Sequence, residues 1–348
     1  MKIAVGLSGG VDSSVAAALL CEQGHEVIGI TMSLWREGRY HGGCGDACFG
    51  PNEAEDIAAA KELCNQLHIP YHVFDCADAY EKIVLDYFRN EYLTGRTPNP
   101  CVRCNASMKF GLLPRLARES GLSFDVFATG HYARTCQRDG AWRLLRGIDE
   151  NKDQSYFLYR LKQEQLQGIL FPLGELHKTD VRALAAHYGL SVKDKPESQD
   201  FYSGDKGELM QAPPRQGNIV DETGHVLGTH SGHWNFTIGQ RRGLGISSTK
   251  PLYVVDINAC RNEVVVGSVE ELLSKRLELE DCHWIAGTPP SGMVLAKIRS
   301  TAQLVPAKFV DGELIFSDGV SAAARGQSAV LYRDDEVLGG GIISRIIK

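Results

Sequence analysis

A chain of 348 residues with 43% hydrophobic and 23% charged residues has the composition of a soluble globular protein and the length of two or three domains. Its net charge of −6 excludes nucleic-acid binding through bulk charge, so any such surface must be a local basic patch. No apolar run approaches the roughly 18 residues of a membrane span, and the chain opens on a strand rather than an export signal. A cytoplasmic location without membrane association is therefore expected, with the ten cysteines as free thiols, metal ligands or catalysts rather than a disulfide framework.

In chain order, residues 1–7 (MKIAVGL) read as a short buried strand and residues 15–20 (VAAALL) as a helix. Between them lie Ser8, Gly9, Gly10, Val11, Asp12, Ser13 and Ser14. A strand, a glycine turn and a helix N-terminus gather unpaired backbone N–H groups around one small volume, and the helix dipole adds positive potential there. Phosphates bind at such a place without a basic side chain. Gly9 and Gly10 permit close approach of the backbone, Ser13 and Ser14 offer hydroxyl donors, and Asp12 is a candidate Mg²⁺ ligand. The plainer reading is a turn with serine as the helix N-cap. The G-x-x-x-x-G-K-[ST] pattern is absent, so no loop lysine reaches toward terminal phosphates.

Residues 25–32 (HEVIGITM) suit a second buried strand. Residues 51–67 are helical in pattern, with Ile57, Lys61, Cys64 and Leu67 on one stripe, which places Cys64 in the core. A third strand spans 71–76, a helix 79–93 and a fourth strand 124–131, which ends in a glycine turn. This alternation predicts an α/β domain with a doubly wound parallel sheet. Ligands bind at the carboxyl ends of such strands. The glycine loop, Met32 and Gly130–His131 all sit at such ends and are expected to share one pocket, with Met32 and Gly130 against adenine or ribose.

Residues 94–105 (TGRTPNPCVRCN) form a proline-rigid loop carrying Cys101 and Cys104 as C-x-x-C, a redox pair, half a metal site or two incidental thiols. Arg103 and an expected helix start at 105–107 both favour the Cys104 thiolate. Residues 147–157 are polar, then aromatic. From about Lys206 short alternating runs take over: 218–221 opens a hairpin with its turn at 222–224, and 253–256 with 263–266 reads as a strand pair. From Leu277 the pattern is all-β, with one hairpin turning at Asp311-Gly312 and another joining 330–332 to 337–338, which a small closed barrel accommodates.

SGGVDSS resembles the PP-loop of the ATP pyrophosphatases. GRTPNPCVRCN, ATGHY, NKDQSYFLY, FPLGELHK, KPESQD, TIGQRRGLGI, PLYVV, GQSAVLY and LGGGII follow one another in an order that resembles the bacterial tRNA-specific 2-thiouridylase family over nearly the whole chain. The resemblance implies a PP-loop catalytic domain (1–205), a small mixed central domain (206–275) and a C-terminal β-barrel (276–348). It implies a sulfurtransferase that adenylates O2 of the wobble uridine (U34) of a tRNA with ATP, replaces that oxygen by sulfur, and releases AMP and pyrophosphate. The sulfur donor would be a cysteine desulfurase, a sulfur relay protein or inorganic sulfide. Gly6, Leu7, Ser8, Gly9, Gly10, Val11, Asp12 and Ser13 match the ATP loop, and Met32 and Gly130 further nucleotide contacts. Cys104 matches the nucleophilic cysteine, and Asn99, Pro100 and Cys101 the segment beside the target base. His131, Lys152, Asp153, Gln154, Arg299, Ser300 and Gln327 match positions that touch tRNA.

Three features depart from or add to that pattern. Tyr202 stands where the family carries a second, persulfide-bearing cysteine, and Cys101 stands where many members have Asp. Cys44 and Cys48 add a C-x-x-x-C in a glycine-rich loop. Cys44, Cys48, Cys101 and Cys104 are therefore candidate ligands for Zn²⁺ or an iron–sulfur cluster if the two loops meet. The alternative keeps Cys104 as the persulfide carrier and Cys101 as its resolving partner. Rival functions are an ATP-dependent amidotransferase or ligase with the same loop, and a tRNA-binding iron–sulfur protein without turnover.

Overall fold

The computed structural model describes residues 1–43, 47–196, 200–202 and 204–347. The chain begins with β1 (Lys2–Gly6), α1 (Val11–Glu22), β2 (Glu26–Ser33), β3 (Ala47–Phe49), α2 (Glu53–Gln66) and β4 (Tyr71–Asp75). Helical segments 77–93 and 100–119 lead to β5 (Val126–Thr129). A hairpin of β6 (Ala133–Arg138) and β7 (Ala141–Arg146), β8 (Ile169–Leu170), a helix Lys178–His187 and β9 (Asp200–Tyr202) follow. Five strands form one parallel sheet in the order β4-β2-β1-β5-β8, with Val5 paired to Gly29 on one side and to Ala128 on the other. Order reverses between β1 and β5, and the crevice at that point is where such sheets bind ligands.

Residues 3–5 of β1 are apolar without alternation because both faces of the strand are covered there. Ile3 and Val5 join Val15, Ala60, Leu63, Val181 and Ala185 of the helices on one face. Ala4 joins Ile28, Phe127, Phe110, Leu113 and Ala117 on the other. The buried stripe of α2 is Ala60, Leu63 and Cys64; Lys61, expected on that stripe, is exposed. Cys64 is core as expected, and burial pushes its thiol up to about 12.

Two helices carry π-helical turns, at Glu81–Leu85 and Asn105–Leu112. Such turns concentrate at functional sites. The second helix starts five residues before the expected 105: Pro100 holds its first turn and Asn99 caps it, accepting from the Val102 N–H at 3.2 Å.

The central domain is a four-stranded sheet of β10 (Gly217–Val220), β11 (Val226–His230), β12 (Tyr253–Asn258) and β13 (Glu263–Gly267) in the order β11-β10-β13-β12. The C-terminal strands are β14 (Leu273–Trp284), β15 (Met293–Lys297), β16 (Val305–Val310), β17 (Glu313–Ser321), β18 (Ser328–Arg333) and β19 (Glu336–Ile347). They close through β14–β19 pairing into a six-stranded barrel. Asp311 and Gly312, at φ 49° and 86°, make the left-handed turn between β16 and β17 that the sequence predicts. The β6–β7 hairpin does not join the parallel sheet. It extends the barrel, with Val337 opposite Leu144 and Glu336 opposite Leu145, and so ties the two domains together.

Candidate active site

The glycine loop leaves β1 at the switch point and enters α1 without a side-chain cap; Gly10, not a serine, occupies the cap position. The serine hydroxyls turn inward. Those of Ser13 and Ser14 donate to the Gly10 carbonyl at 3.2 and 2.8 Å, and Ser13 Oγ accepts from the Ser8 N–H at 3.2 Å. Two contacts fix the loop from outside. A Cβ on Gly9, whose φ is +70°, would lie 2.5 Å from the Asp56 carbonyl oxygen, and one on Gly130 would lie 2.6 Å from Asp12 C and Ser13 N. The first-turn amides of Val11, Asp12 and Ser13 have no acceptor within the helix, so the loop is a preformed cradle for an anion.

Lysines that sequence reasoning did not single out surround this cradle. Lys178 Nζ lies 2.7 Å from Asp12 Oδ1, which also accepts from Tyr132 OH at 2.9 Å. Lys195 pairs with Asp56 and donates to the Gly9 carbonyl at 3.2 Å. Asp12, the candidate Mg²⁺ ligand, is thus already matched by an ammonium on the same oxygen, which is a poor fit to a divalent cation. Cys44 lies outside the described residues. Among those described, no group of three or more His, Cys, Asp or Glu is placed to hold a metal ion, so Cys48, Cys101 and Cys104 do not form a Zn²⁺ or cluster site by themselves.

Cys101 and Cys104 are half-buried on the helix that Asn99 caps. The expected thiolate bias is reversed. Burial pushes Cys104 up to about 11 against the opposing pull of Lys109, and burial with the nearby thiols Cys48 and Cys104 pushes Cys101 up to about 12. The helix begins before Cys101, so Cys104 lies beyond its N-terminal turn, and Arg103 turns away to the Ile83 carbonyl and the face of Tyr87. Lys109, on the π-helical turn, is the cation that bears on both thiols and on His131. His131 bonds Thr129 Oγ1 at 2.8 Å between the rings of Phe110 and Phe171, and burial followed by Lys109 holds it well below the usual imidazole range. Gly130 therefore meets the cradle, and the His131 ring meets Phe110, on the helical segment that also carries both thiols.

Three family models cover the chain: a tRNA methyl transferase HUP domain matches residues 1–202, a tRNA methyl transferase PRC-barrel domain 209–268, and an aminomethyltransferase beta-barrel domain 274–343. A tRNA-specific 2-thiouridylase of Endomicrobium trichonymphae is 48% identical over 99% of both chains. One from Geotalea uraniireducens is 45% identical over 99% of this chain and 96% of its own. The chain belongs to the tRNA-specific 2-thiouridylase family.

Against the 2-thiouridylase pattern, the structure sorts the residues matched to tRNA contacts into two groups. Lys152 and Ser300 are partly exposed. Asp153, Gln154, His131, Arg299 and Gln327 have hydrogen-bond partners inside the protein, Gln154 Oε1 accepting from the Tyr132 N–H at 3.0 Å. Asp153 accepts from the Gly147 and Ser155 N–H groups at 3.1 Å each. Arg299 donates to the Ile238 carbonyl at 2.8 Å and the Ala322 carbonyl at 2.5 Å, joining the central domain to the barrel. Gln327 donates to the Pro98 carbonyl at 2.9 Å, so the barrel holds the loop that leads into Cys101. Met32 is partly buried at the carboxyl end of β2, opposite Phe74. The segment Ser198–Gln199 and Ser203 lie outside the described residues.

Proposed function

We propose that the chain is an ATP-dependent tRNA-uridine 2-sulfurtransferase acting in the cytoplasm on tRNAs with U34. The observation that supports this reading is that Gly130 abuts the anion cradle while the adjacent His131 packs on Phe110, on the helical segment that carries Cys101 and Cys104. ATP phosphates sit on the amides of residues 9–13, the nucleoside toward Met32 and Gly130, with Lys178 and Lys195 balancing charge. The target uridine leaves the base stack to reach the chemistry. Its O2 attacks the α-phosphate and pyrophosphate leaves; the fixed amides stabilise the developing charge. Cys104 carries the sulfur, Cys101 resolves the persulfide, and Lys109 balances the thiolate as it forms. Asn99 and Pro100 shape the wall beside the base, and Lys152 and Ser300 meet the RNA. Arg299, Gln327, Asp153, Gln154 and His131 act on RNA binding by holding the surfaces that touch it.

No step is assigned to a metal, because Asp12 is paired with Lys178 and the three described thiols form no ligand set. No helix among the described residues is long and apolar enough to cross a membrane. The sulfur source is a persulfide donor, a desulfurase or relay protein, or inorganic sulfide. The test is mass analysis of the wobble nucleoside in tRNA from cells lacking this chain. Loss of 2-thiouridine supports the reading, and an unchanged level in a strain with no other thiolase overturns it.

A further inference from the structure

The chain that leads into the helix Pro100–Cys104 is held from outside its own domain. Thr97 and Asn99 are buried. The Thr97 N–H donates to the Arg325 carbonyl at 2.7 Å. Gln327 Nε2 donates back to the Thr97 and Pro98 carbonyls at 3.3 and 2.9 Å. Arg96 pairs with Glu91 at 2.8 Å and with Glu280 on β14. Residues 96–98 are thus bonded along the barrel turn 325–327, just before β18.

That turn is itself fixed. The Gly326 N–H donates to the Ile343 carbonyl on β19 at 2.8 Å, and the Gln327 carbonyl accepts from the Ile343 N–H at 2.9 Å. Arg325 reaches the central domain, donating to the Ile257 carbonyl of β12 at 3.1 Å. All three domains therefore meet where the chain approaches the thiols. Directly after Pro98, Asn99 caps the helix by accepting from the Val102 N–H at 3.2 Å, and its own N–H donates to Tyr87 OH at 3.2 Å. Cys101 lies in the first turn of that helix and Cys104 is its last residue, so a shift at Pro98 moves both thiols together. The anion cradle is anchored elsewhere, with Gly9 against Asp56, Gly130 against Asp12 and Ser13, and Lys178 on Asp12.

We propose that Gly326 and Gln327 are positioning residues for the Cys101/Cys104 pair: they set where the helix starts, and so the reach of Cys104 to C2 of the adenylated uridine, while adenylation is left to the cradle. This rests on the thiouridylase reading above. Its consequence is a partition of the adenylated uridine. Attack at C2 by sulfur gives 2-thiouridine and AMP. Attack at C2 by water restores O2 and expels AMP, with one proton of the water passing to N3 and the other to the AMP phosphate; nothing is oxidised or reduced. A thiol held out of place leaves the intermediate to water.

Gly326 leaves no room for a side chain. Its φ is +90°, and a Cβ there would lie 2.8 Å from both the Thr97 carbonyl oxygen and Glu91 Oε2. Restoring the 3.4 Å of ordinary contact displaces residue 97 by about 0.6 Å. Misplacement by about 1 Å can cost about 100-fold, so sulfur transfer in Gly326→Ala should slow by about tenfold.

The test counts AMP and 2-thiouridine made by protein loaded with a low-molecular-weight persulfide, at saturating ATP and tRNA. The wild-type protein should form them one to one. Gly326→Ala should form about ten AMP for each 2-thiouridine, with AMP formation itself near the wild-type rate. Gln327→Leu introduces no left-handed strain and should shift the ratio in the same direction by a smaller factor; it decides the matter if Gly326→Ala does not fold. Gly312→Ala is the control. It strains another left-handed barrel turn, at φ +86°, where the new methyl meets nothing nearer than the Leu279 carbonyl at 3.9 Å, and its ratio should stay at one. A ratio of one in either test variant, whatever its KM for tRNA, overturns the proposal, as does a shifted ratio in Gly312→Ala. Absence of 2-thiouridine in the wild-type reaction instead overturns the thiouridylase reading itself.

Discussion

Gly130→Ala isolates the contact between the end of β5 and the anion cradle. The residue's φ is not in the left-handed region, so only space is at issue. The new methyl would lie 2.6 Å from Asp12 C and Ser13 N, both backbone atoms that cannot rotate away. Reaching the 3.4 Å of ordinary contact displaces the first turn of α1 by about 0.8 Å relative to β5. Misplacing a catalytic group by about 1 Å can cost about 100-fold in rate. The expected result is a fall of about that size in kcat/KM for tRNA-dependent AMP release, with a chemical unfolding midpoint reduced far less than activity. Wild-type kcat/KM for ATP in a folded Gly130→Ala protein would refute the assignment of this turn to the nucleotide site.

Asp12→Ala removes the carboxylate 2.7 Å from the Lys178 ammonium and should lower the urea midpoint; no change there contradicts the pairing. With the Cys104 thiol at about 11, about one molecule in a thousand carries the thiolate at pH 8, so alkylation of Cys104 should rise about tenfold per pH unit from 7 to 10. A plateau below pH 9 would show that burial does not control it. Lys152→Ala should weaken tRNA binding with ATP affinity unchanged, whereas Arg299→Ala should also loosen the central domain from the barrel, seen as faster proteolysis between them. Burial pushes Glu208 up, but bonds from Tyr202, His41 and Gly42 outweigh it and hold the carboxyl at about 2. The stabilisation is therefore present above the ordinary carboxylate range and is lost as pH falls through about 2; Glu208→Gln should remove that acid-limb dependence.

Much of the fold is legible because local pattern and tertiary role agree. The apolar run at residues 3–5 reads as a strand covered on both faces, and Asp311-Gly312 reads as a tight hairpin turn. The β6–β7 hairpin is not legible: its partner β19 lies about 190 residues away, and nothing local in residues 133–146 points to it. The three-residue strands β3 and β9 are too short to show alternation. The helix start at Pro100 carried a usable signal, Asn followed by proline at N1, which the dense prolines of the segment disguised as loop. Nothing in the sequence singles out Lys109 or Lys178; only the fold sets Lys178 against Asp12 and brings the charge of Lys109 to bear on both thiols. The thiolate expectation failed because adjacency to Arg103 in sequence is not adjacency in space, and burial dominates.

The most direct measurement is product stoichiometry with purified protein, unmodified tRNA, ATP and sulfide. The expected result is one 2-thiouridine at the wobble position for each AMP and each pyrophosphate formed, with no 2-thiouridine in Cys104→Ser. Formation of ADP and phosphate, or a methylated rather than thiolated nucleoside, would contradict it.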